Sequence, residues 1–152
     1  MFRTPLSLFR TLAVAEMISW TLLIGGLIVR GVFDWPLAVT IGGAVHGFVF
    51  LAYGATAVIV ALHQRWQIGV ALLAVASAVV PYATLPTELW LQRSGRLAGD
   101  WRLTETDDPR DRRPVDRALR FFLRRAPLFV GLLVVAVVAL YVVLLVAGPP
   151  GR

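Results

Sequence analysis

The sequence predicts an all-α protein that forms a bundle of about four membrane segments. Hydrophobic residues make up 58% of the 152 residues and the mean hydropathy is +0.75, whereas soluble domains are roughly 45–50% apolar by a count that also includes glycine. The apolar residues lie in four blocks, and most charges lie between the blocks. Because about 20 helical residues cross the hydrocarbon core, four such blocks leave too little chain for a second folded domain.

The charge and the missing cysteine exclude several classes of protein. Without cysteine the chain has no disulfide, thiolate metal site or thiol nucleophile. All the basic residues are arginines, and the net charge is +6. Because the arginines border apolar blocks, membrane topology and anionic lipid explain them better than nucleic acid does. No phosphate loop or hydrolase motif occurs, so nothing argues for an enzyme, and we predict neither a cofactor nor a metal.

The first two segments are predicted to form a helical hairpin. Segment one covers about 8–29, and we expect it to be retained, because Glu16 interrupts its apolar run and no signal-peptidase site follows. Segment two covers about 37–62. Trp35 suits a membrane interface, and Pro36 suits the first turn of a helix, where its missing N–H is unpaired anyway.

The third and fourth segments differ in character. Segment three, about 68–85, is barely long enough to cross, and Pro81 and Pro86 predict a kink or an early end. A full crossing is favoured, because re-entrant backbone needs protein or water partners. Re-entry stays open as the alternative, since it places both basic regions on one side. Segment four, about 128–148, contains no charge and is the clearest transmembrane signal.

A long polar stretch, roughly 93–125, separates segments three and four. Its first part is charged and aperiodic, which predicts a mobile loop. Its second part, PVDRALRFFLRRAP, predicts a short amphipathic helix on the membrane surface, with a solvated lead-in to segment four as an equal alternative. The arginines expected to contact lipid headgroups are Arg117, Arg120, Arg124 and Arg125. The chain thus divides into a three-segment core (1–92), a basic loop with its juxtamembrane helix (93–125), and a fourth helix with its tail (126–152).

A buried polar centre is predicted inside the first hairpin. It consists of Glu16, Ser19, Trp20 and His46. In segment one the three residues share a helix face, and in segment two Gly43 and Gly47 flank His46 at a spacing that lets another helix approach closely. Counted from the turn, the depths of Glu16 and His46 differ by about 6 to 8 Å, which two side chains or one water can bridge. The favoured interpretation is a polar clasp that fixes the hairpin; the alternative is a site for a proton, a cation or a polar headgroup.

Four short motifs occur in the same order as in a known family. They are Glu16-x-x-Ser19-Trp20, His46-Gly47, Arg65-Trp66 and Val80-Pro81-Tyr82. This set, over about 7–92, resembles the DUF3817 (YdzA-like) family of small bacterial integral membrane proteins. The resemblance implies a compact three-segment core and no assigned activity. The chain departs from the family pattern at Ala83, where glycine is usual, and at Glu88, where aspartate is usual.

These observations predict an accessory or interaction subunit, or a homo-oligomer, in a bacterial inner membrane. The expected partners are anionic lipid headgroups and another membrane protein or a second copy. The alternatives are a minimal proton- or cation-coupled transporter or a lipid-binding protein that uses Glu16 and His46, and a lipid-directed enzyme with His46 as base. Transport is disfavoured because the sequence shows neither an inverted repeat nor a second buried charge, Glu88 being placed at a membrane edge.

Overall fold

The computed structural model describes residues 4–105 and 107–147, and the regular secondary structure of this part of the chain is helical, without strands. The elements in chain order are α1 (Pro5–Phe33), α2 (Pro36–Gln64), α3 (Ile68–Ala76), a 3₁₀ turn (Ser77–Val79), α4 (Thr84–Arg93), a second 3₁₀ turn (Pro109–Arg112), α5 (Pro114–Arg124) and α6 (Ala126–Ala147). The all-α prediction is therefore confirmed.

Helices α1 and α2 form the predicted hairpin. A capping box between Thr4 and Ser7 begins α1, and Asp34 ends it in the left-handed conformation. Proline stands in the first turn of each helix. In the described residues these two helices are long and apolar enough to cross a membrane, and along their outer faces large apolar side chains such as Ile28 and Leu37 are half exposed.

The hairpin closes through two glycines. A Cβ built on Gly26 would lie 2.6 Å from the carbonyl oxygen of Ala38, and one built on Gly42 would lie 2.6 Å from that of Leu22. The sequence had placed the close approach at Gly43 and Gly47. A Cβ on Gly43 meets an ordinary contact at 3.9 Å, and the neighbour of Gly47 is a ring on α6 rather than the backbone of α1. The glycine contact of the hairpin is therefore one residue earlier in α2 than predicted.

Segment three turns back inside the bundle. It begins beside the Gln64 end of α2, and the Trp20 indole N–H donates to the carbonyl of Ala78 near the middle of α1 (3.2 Å). The chain then returns along α1, because Arg10 near its start binds Glu88 on α4. The segment thus enters and leaves at one end of the hairpin. This path matches the re-entrant alternative rather than the full crossing that the sequence favoured.

The turn of this re-entrant pair lies at Pro81. Residues 80–83 break the helix, and Tyr82 has a φ of 65°, a left-handed conformation that costs a non-glycine residue about 1 kcal/mol or more. Ala83 has an ordinary φ of −71°, so the chain does not need glycine there. Pro86 was predicted to kink or end the segment, but it lies in the first turn of α4. No helical hydrogen bond is lost there, because the first N–H groups of a helix have no partner within it.

The apolar core lies where α3 and α4 pack against the hairpin of α1 and α2. Phe9 is fully buried, and its ring packs edge-on against Tyr53 (5.5 Å) and Trp66 (6.0 Å). The Tyr53 hydroxyl donates to the carbonyl of Ala74, which ties α2 to α3. The core thus occupies the end of the hairpin that holds the re-entrant pair.

Helices α5 and α6 complete the described chain. The predicted juxtamembrane helix is α5, and the predicted fourth segment is α6, although its last predicted residue lies outside the described residues. The ring of Tyr141 on α6 packs against Gly47 and lies edge-on to Phe48, 6.5 Å away. Helix α6 therefore lies beside the outer face of α2.

Candidate functional site

The structure brings the four residues of the predicted polar centre into one cluster. Glu16 is fully buried, and Ser19 is 1% exposed. The Ser19 hydroxyl lies 2.9 Å from Glu16 Oε2 and 3.0 Å from His46 Nδ1. Glu16 Oε1 lies 3.7 Å from the same imidazole nitrogen. Because Ser19 stands one helical turn after Glu16, its hydroxyl connects the carboxyl group of α1 to the imidazole of α2.

Trp20 contributes to the cluster in two ways. Its ring lies 4.3 Å from that of His46, centroid to centroid, and the ring of Phe50 lies 6.0 Å from the imidazole. Its indole N–H is held by the carbonyl of Ala78. Trp20 thus fixes the plane of the imidazole and also anchors the inner end of the re-entrant pair.

The hydrogen bonds of the cluster require a proton from Glu16 or His46. The single hydrogen of the Ser19 hydroxyl faces three acceptor atoms, because the backbone carbonyl of Glu16 is also only 2.8 Å away. Ser19 donates to one of them, and another contact is a hydrogen bond only if the partner donates to the hydroxyl oxygen. The donor is then the acid form of Glu16 or the Nδ1–H form of His46. Chemically, the cluster is a carboxyl–hydroxyl–imidazole chain in which Glu16 or His46 supplies one of the hydrogens.

One oxygen of the carboxyl group has no hydrogen-bond partner. Glu16 Oε1 is buried and makes no hydrogen bond with any described residue. A buried polar atom in this condition is unfavourable unless a proton, an ion or a water satisfies it. The acid form of Glu16, with its proton on Oε1, is one arrangement that relieves this cost.

Glu88 is a second buried carboxylate that the sequence did not reveal. Its exposed fraction is 0%, and Arg10 donates to Glu88 Oε1 from Nε (3.1 Å) and Nη2 (3.0 Å). The other oxygen, Oε2, has no partner among the described residues. The expectation of a single buried charge was therefore wrong, while the placement of Glu88 at a membrane edge stays a prediction. The sequence feature that could have revealed this burial is Arg10, because an arginine inside an apolar run requires an acidic partner.

Arg65 and Trp66 attach the polar stretch to the core. The Arg65 guanidinium binds the carboxylates of Asp108, Asp111 and Asp116. Burial by itself lowers the pKa of Arg65, but the hydrogen bonds that Arg65 donates to these aspartates, together with the charge of Asp116, outweigh burial and hold the pKa above its ordinary value. The Trp66 indole N–H donates to the carbonyl of Arg96 (2.9 Å). The stretch predicted as a mobile loop is thus fixed to the end of α2.

His63, which the sequence placed at the interface, also binds this stretch. The backbone N–H of Arg102 donates to His63 Nε2 at 2.7 Å, so this nitrogen carries no proton. Trp101 lies edge-on to the imidazole at 4.8 Å. His63 therefore acts as a structural acceptor. In the described residues, no group of three or more His, Asp or Glu side chains is arranged to hold a metal ion.

The fold and the polar centre together define a small helical membrane protein in which a helix hairpin packs against a helix pair that turns back on itself. The chain belongs to the DUF3817 family, described as a domain of unknown function, whose model matches residues 6–93. The family resemblance seen in the sequence is thus confirmed. The match ends at the last residue of α4 and contains every residue of the polar centre, while α5 and α6 lie beyond it.

A curated relative is a Streptomyces coelicolor protein whose name describes it as a candidate membrane protein. It is 33% identical to this chain over 91 residues, which is 59% of this chain and 11% of the relative. The chain therefore covers about a tenth of the relative's length. No solved structure matched the chain.

Proposed function

We propose that the chain is a multi-pass accessory subunit of a bacterial inner membrane, which binds another membrane protein or assembles with itself. The observation that carries the proposal is the length of the Streptomyces relative: the matching 91 residues are 11% of it. In that protein a stretch of this kind is joined covalently to a much longer chain. We infer from this that a region of this fold works in association with other protein segments.

The distribution of arginine supports an orientation for this subunit. The re-entrant path leaves the basic residues of the described chain at the Gln64 end of the hairpin, apart from Arg30 near the opposite turn. Cytoplasmic loops are enriched in arginine and lysine. We place the Gln64 end and α5 in the cytoplasm, with α1, α2 and α6 crossing the membrane.

Open glycine positions on the hairpin support a helix-binding surface. A Cβ on Gly25 or on Gly54 would meet no atom within 4 Å. Small residues of this kind let a second helix approach closely in a membrane, where van der Waals packing drives association. No described residue packs onto Gly25, so this side of α1 is available to a partner.

In this proposal the polar centre is a clasp. Its hydrogen bonds join α1 to α2, and Trp20 extends them to the re-entrant pair. Hydrogen bonds between membrane helices average about 0.6 kcal/mol each, which is enough to select one register and requires no chemistry. The buried polar groups thus position the outer helix faces that a partner contacts.

Purification of the tagged chain from its own membrane in mild detergent tests this proposal. We expect one membrane protein to co-purify at a fixed stoichiometry, or a homo-oligomer of one defined size. A tagged helical membrane protein of similar size from the same membrane serves as the control. A chain that is monomeric in several mild detergents, or that brings down the same proteins as the control, contradicts the proposal.

A second candidate, a proton- or cation-coupled role, is favoured by one specific observation. Two buried carboxylates, Glu16 and Glu88, each have an oxygen without a described hydrogen-bond partner, and Glu16 faces His46. Ionisable groups inside a membrane often mark ion pathways. If the chain has this role, proteoliposomes that contain it show a pH-driven flux of protons or cations, and Glu16→Gln abolishes this flux while the variant stays folded. Equal flux with wild-type protein, the variant and empty vesicles rejects this candidate.

A further inference from the structure

We propose that a cleft between α5 and the preceding loop binds the phosphate of an anionic phospholipid. The cleft has a volume of about 340 Å³ and is separate from the polar centre of the hairpin. Its lining consists of Glu105, Arg117, Arg120, Phe121, Arg124 and Arg125. The four arginines that the sequence singled out for headgroup contact therefore line one concave surface.

The charges in the cleft are unbalanced. Arg120 is 8% exposed and is already neutralised, because Nη1 lies 3.5 Å from Asp111 Oδ1 and Nη2 lies 3.8 Å from Glu105 Oε2. Arg117, Arg124 and Arg125 are exposed, and no carboxylate of a described residue lies within ion-pair distance of them. An incoming anion thus meets three uncompensated guanidinium groups beside a fixed fourth.

Two of these three arginines are held in place before any anion binds. Arg124 Nε donates to the carbonyl of Leu103 at 2.6 Å. The Arg125 guanidinium lies 4.5 Å from the ring centroid of Phe121, within the range of a cation–π contact. A guanidinium offers several N–H donors in a planar fork that matches the oxygens of a phosphate. Because both side chains are positioned in advance, binding loses less conformational freedom.

The position of the cleft favours a lipid over a free phosphate ion. It lies where α5 leads directly into α6, the helix predicted to cross the membrane. The apolar side chains of Val115, Phe121 and Leu128 are about half exposed in this region. A phosphate bound by the arginines thus has apolar protein surface beside it for its acyl chains. The cleft combines the two contacts that an anionic phospholipid needs.

Lipid retention in native mass spectrometry tests the proposal. The full chain is reconstituted in nanodiscs of phosphatidylcholine that contain about one-fifth phosphatidylglycerol, then released, and the bound lipids are counted. The test variant is Arg117→Gln/Arg124→Gln/Arg125→Gln. The control, Arg30→Gln/Arg93→Gln/Arg113→Gln, removes the same charge from exposed arginines outside the cleft. Circular dichroism and the thermal midpoint show whether both variants are folded.

We expect wild type and control to retain phosphatidylglycerol in preference to phosphatidylcholine. The test variant loses this preference, by roughly fivefold for each arginine removed. Equal retention by all three proteins, or an equal loss in test and control variants, overturns the proposal, because diffuse charge then explains the binding.

Inorganic phosphate added to the detergent-solubilised protein distinguishes a lipid headgroup from a free phosphate ion as the source of the anion. Displacement of the lipid by phosphate at millimolar concentration, or binding of phosphate without enrichment of phosphatidylglycerol, also overturns it. A test variant that is unfolded is replaced by Arg117→Gln alone, which removes no described hydrogen bond and is judged by the same criteria.

Discussion

His46 Nδ1 lies 3.7 Å from Glu16 Oε1, and the hydroxyl of Ser19 is within hydrogen-bond distance of both side chains. The acid and the hydroxyl come from one helix and the imidazole from the other. These contacts therefore exist only in one register of the hairpin, the register in which the Gly26 and Gly42 backbones also approach the opposite helix. Polar contacts and glycine packing thus specify the same alignment of α1 and α2.

The Ser19→Ala variant tests the clasp. It removes the hydroxyl that connects Glu16 to His46 and leaves a buried carboxyl group and a partly buried imidazole without this partner, so we expect a loss of about 1 kcal/mol or more in the free energy of unfolding. The control is Thr40→Ala, because the exposed Thr40 hydroxyl binds only the carbonyl of Pro36 within its own helix. Chemical unfolding in detergent measures both. A loss no larger than that of the control shows that Ser19 does not stabilise the hairpin.

Glycine variants test the register of the hairpin. In Gly42→Ala the new methyl group meets the backbone of Leu22 at 2.6 Å, so the helices must separate, and we expect a loss of about 1–3 kcal/mol. Gly25→Ala meets no atom within 4 Å and gains up to about 1 kcal/mol of helix propensity. The two variants should thus change the thermal midpoint in opposite directions. Gly43→Ala, with its nearest contact at 3.9 Å, should be mild. Greater damage from Gly43→Ala than from Gly42→Ala contradicts the register described.

The Arg10–Glu88 pair should respond asymmetrically to substitution. Arg10→Ala leaves a buried carboxylate without its cation, and we expect a loss of about 2–3 kcal/mol. This is below the usual 3–5 kcal/mol for a buried pair, because the Arg10 side chain is 45% exposed. Glu88→Gln should cost less, since the amide oxygen still accepts from Arg10. Arg93→Ala, an exposed arginine at the end of α4, is the control for the loss of a charge. Comparable unfolding free energies for Arg10→Ala and Arg93→Ala count against a structural role for the pair.

The re-entrant path is testable because the chain has no cysteine of its own. Single cysteines are placed at Gln67, at Ser94 and, as a reference for the opposite side, at Phe33, all of which are exposed. An impermeant thiol reagent is applied to spheroplasts and to inverted vesicles. We expect Gln67→Cys and Ser94→Cys to be labelled from the same side and Phe33→Cys from the other. Labelling of positions 67 and 94 from opposite sides shows instead that segment three crosses the membrane.

Local sequence patterns were sufficient to identify the residues of the polar centre. The spacing of Glu16, Ser19 and Trp20 put them on one face, and the short turn made α1 and α2 antiparallel neighbours. A depth difference of about 6 to 8 Å between Glu16 and His46 was within the reach of the two side chains. These inferences needed only helix geometry and one tight connection.

Features that depend on tertiary packing were not predictable from the same patterns. Glu88 looked like an interface residue because its cation, Arg10, is 78 residues away and meets it only when segment three turns back. The close contact fell on Gly42 rather than Gly43 because hairpin register depends on the turn geometry at Asp34, which the sequence does not specify. The docking of the polar stretch required Arg65 to meet three aspartates at once. Each case joins residues across a long separation in sequence.

Native mass spectrometry of the wild-type chain beside a Glu16→Gln variant, both extracted gently from their own membrane, tests the accessory-subunit proposal most directly. If the polar centre is a clasp within an accessory subunit, both proteins carry the same stoichiometric partner or form the same homo-oligomer, because the glutamine still accepts a hydrogen bond from Ser19. If wild type instead carries an ion or small molecule that the folded variant lacks, and neither carries a protein partner, the polar centre is a binding site and the account is contradicted.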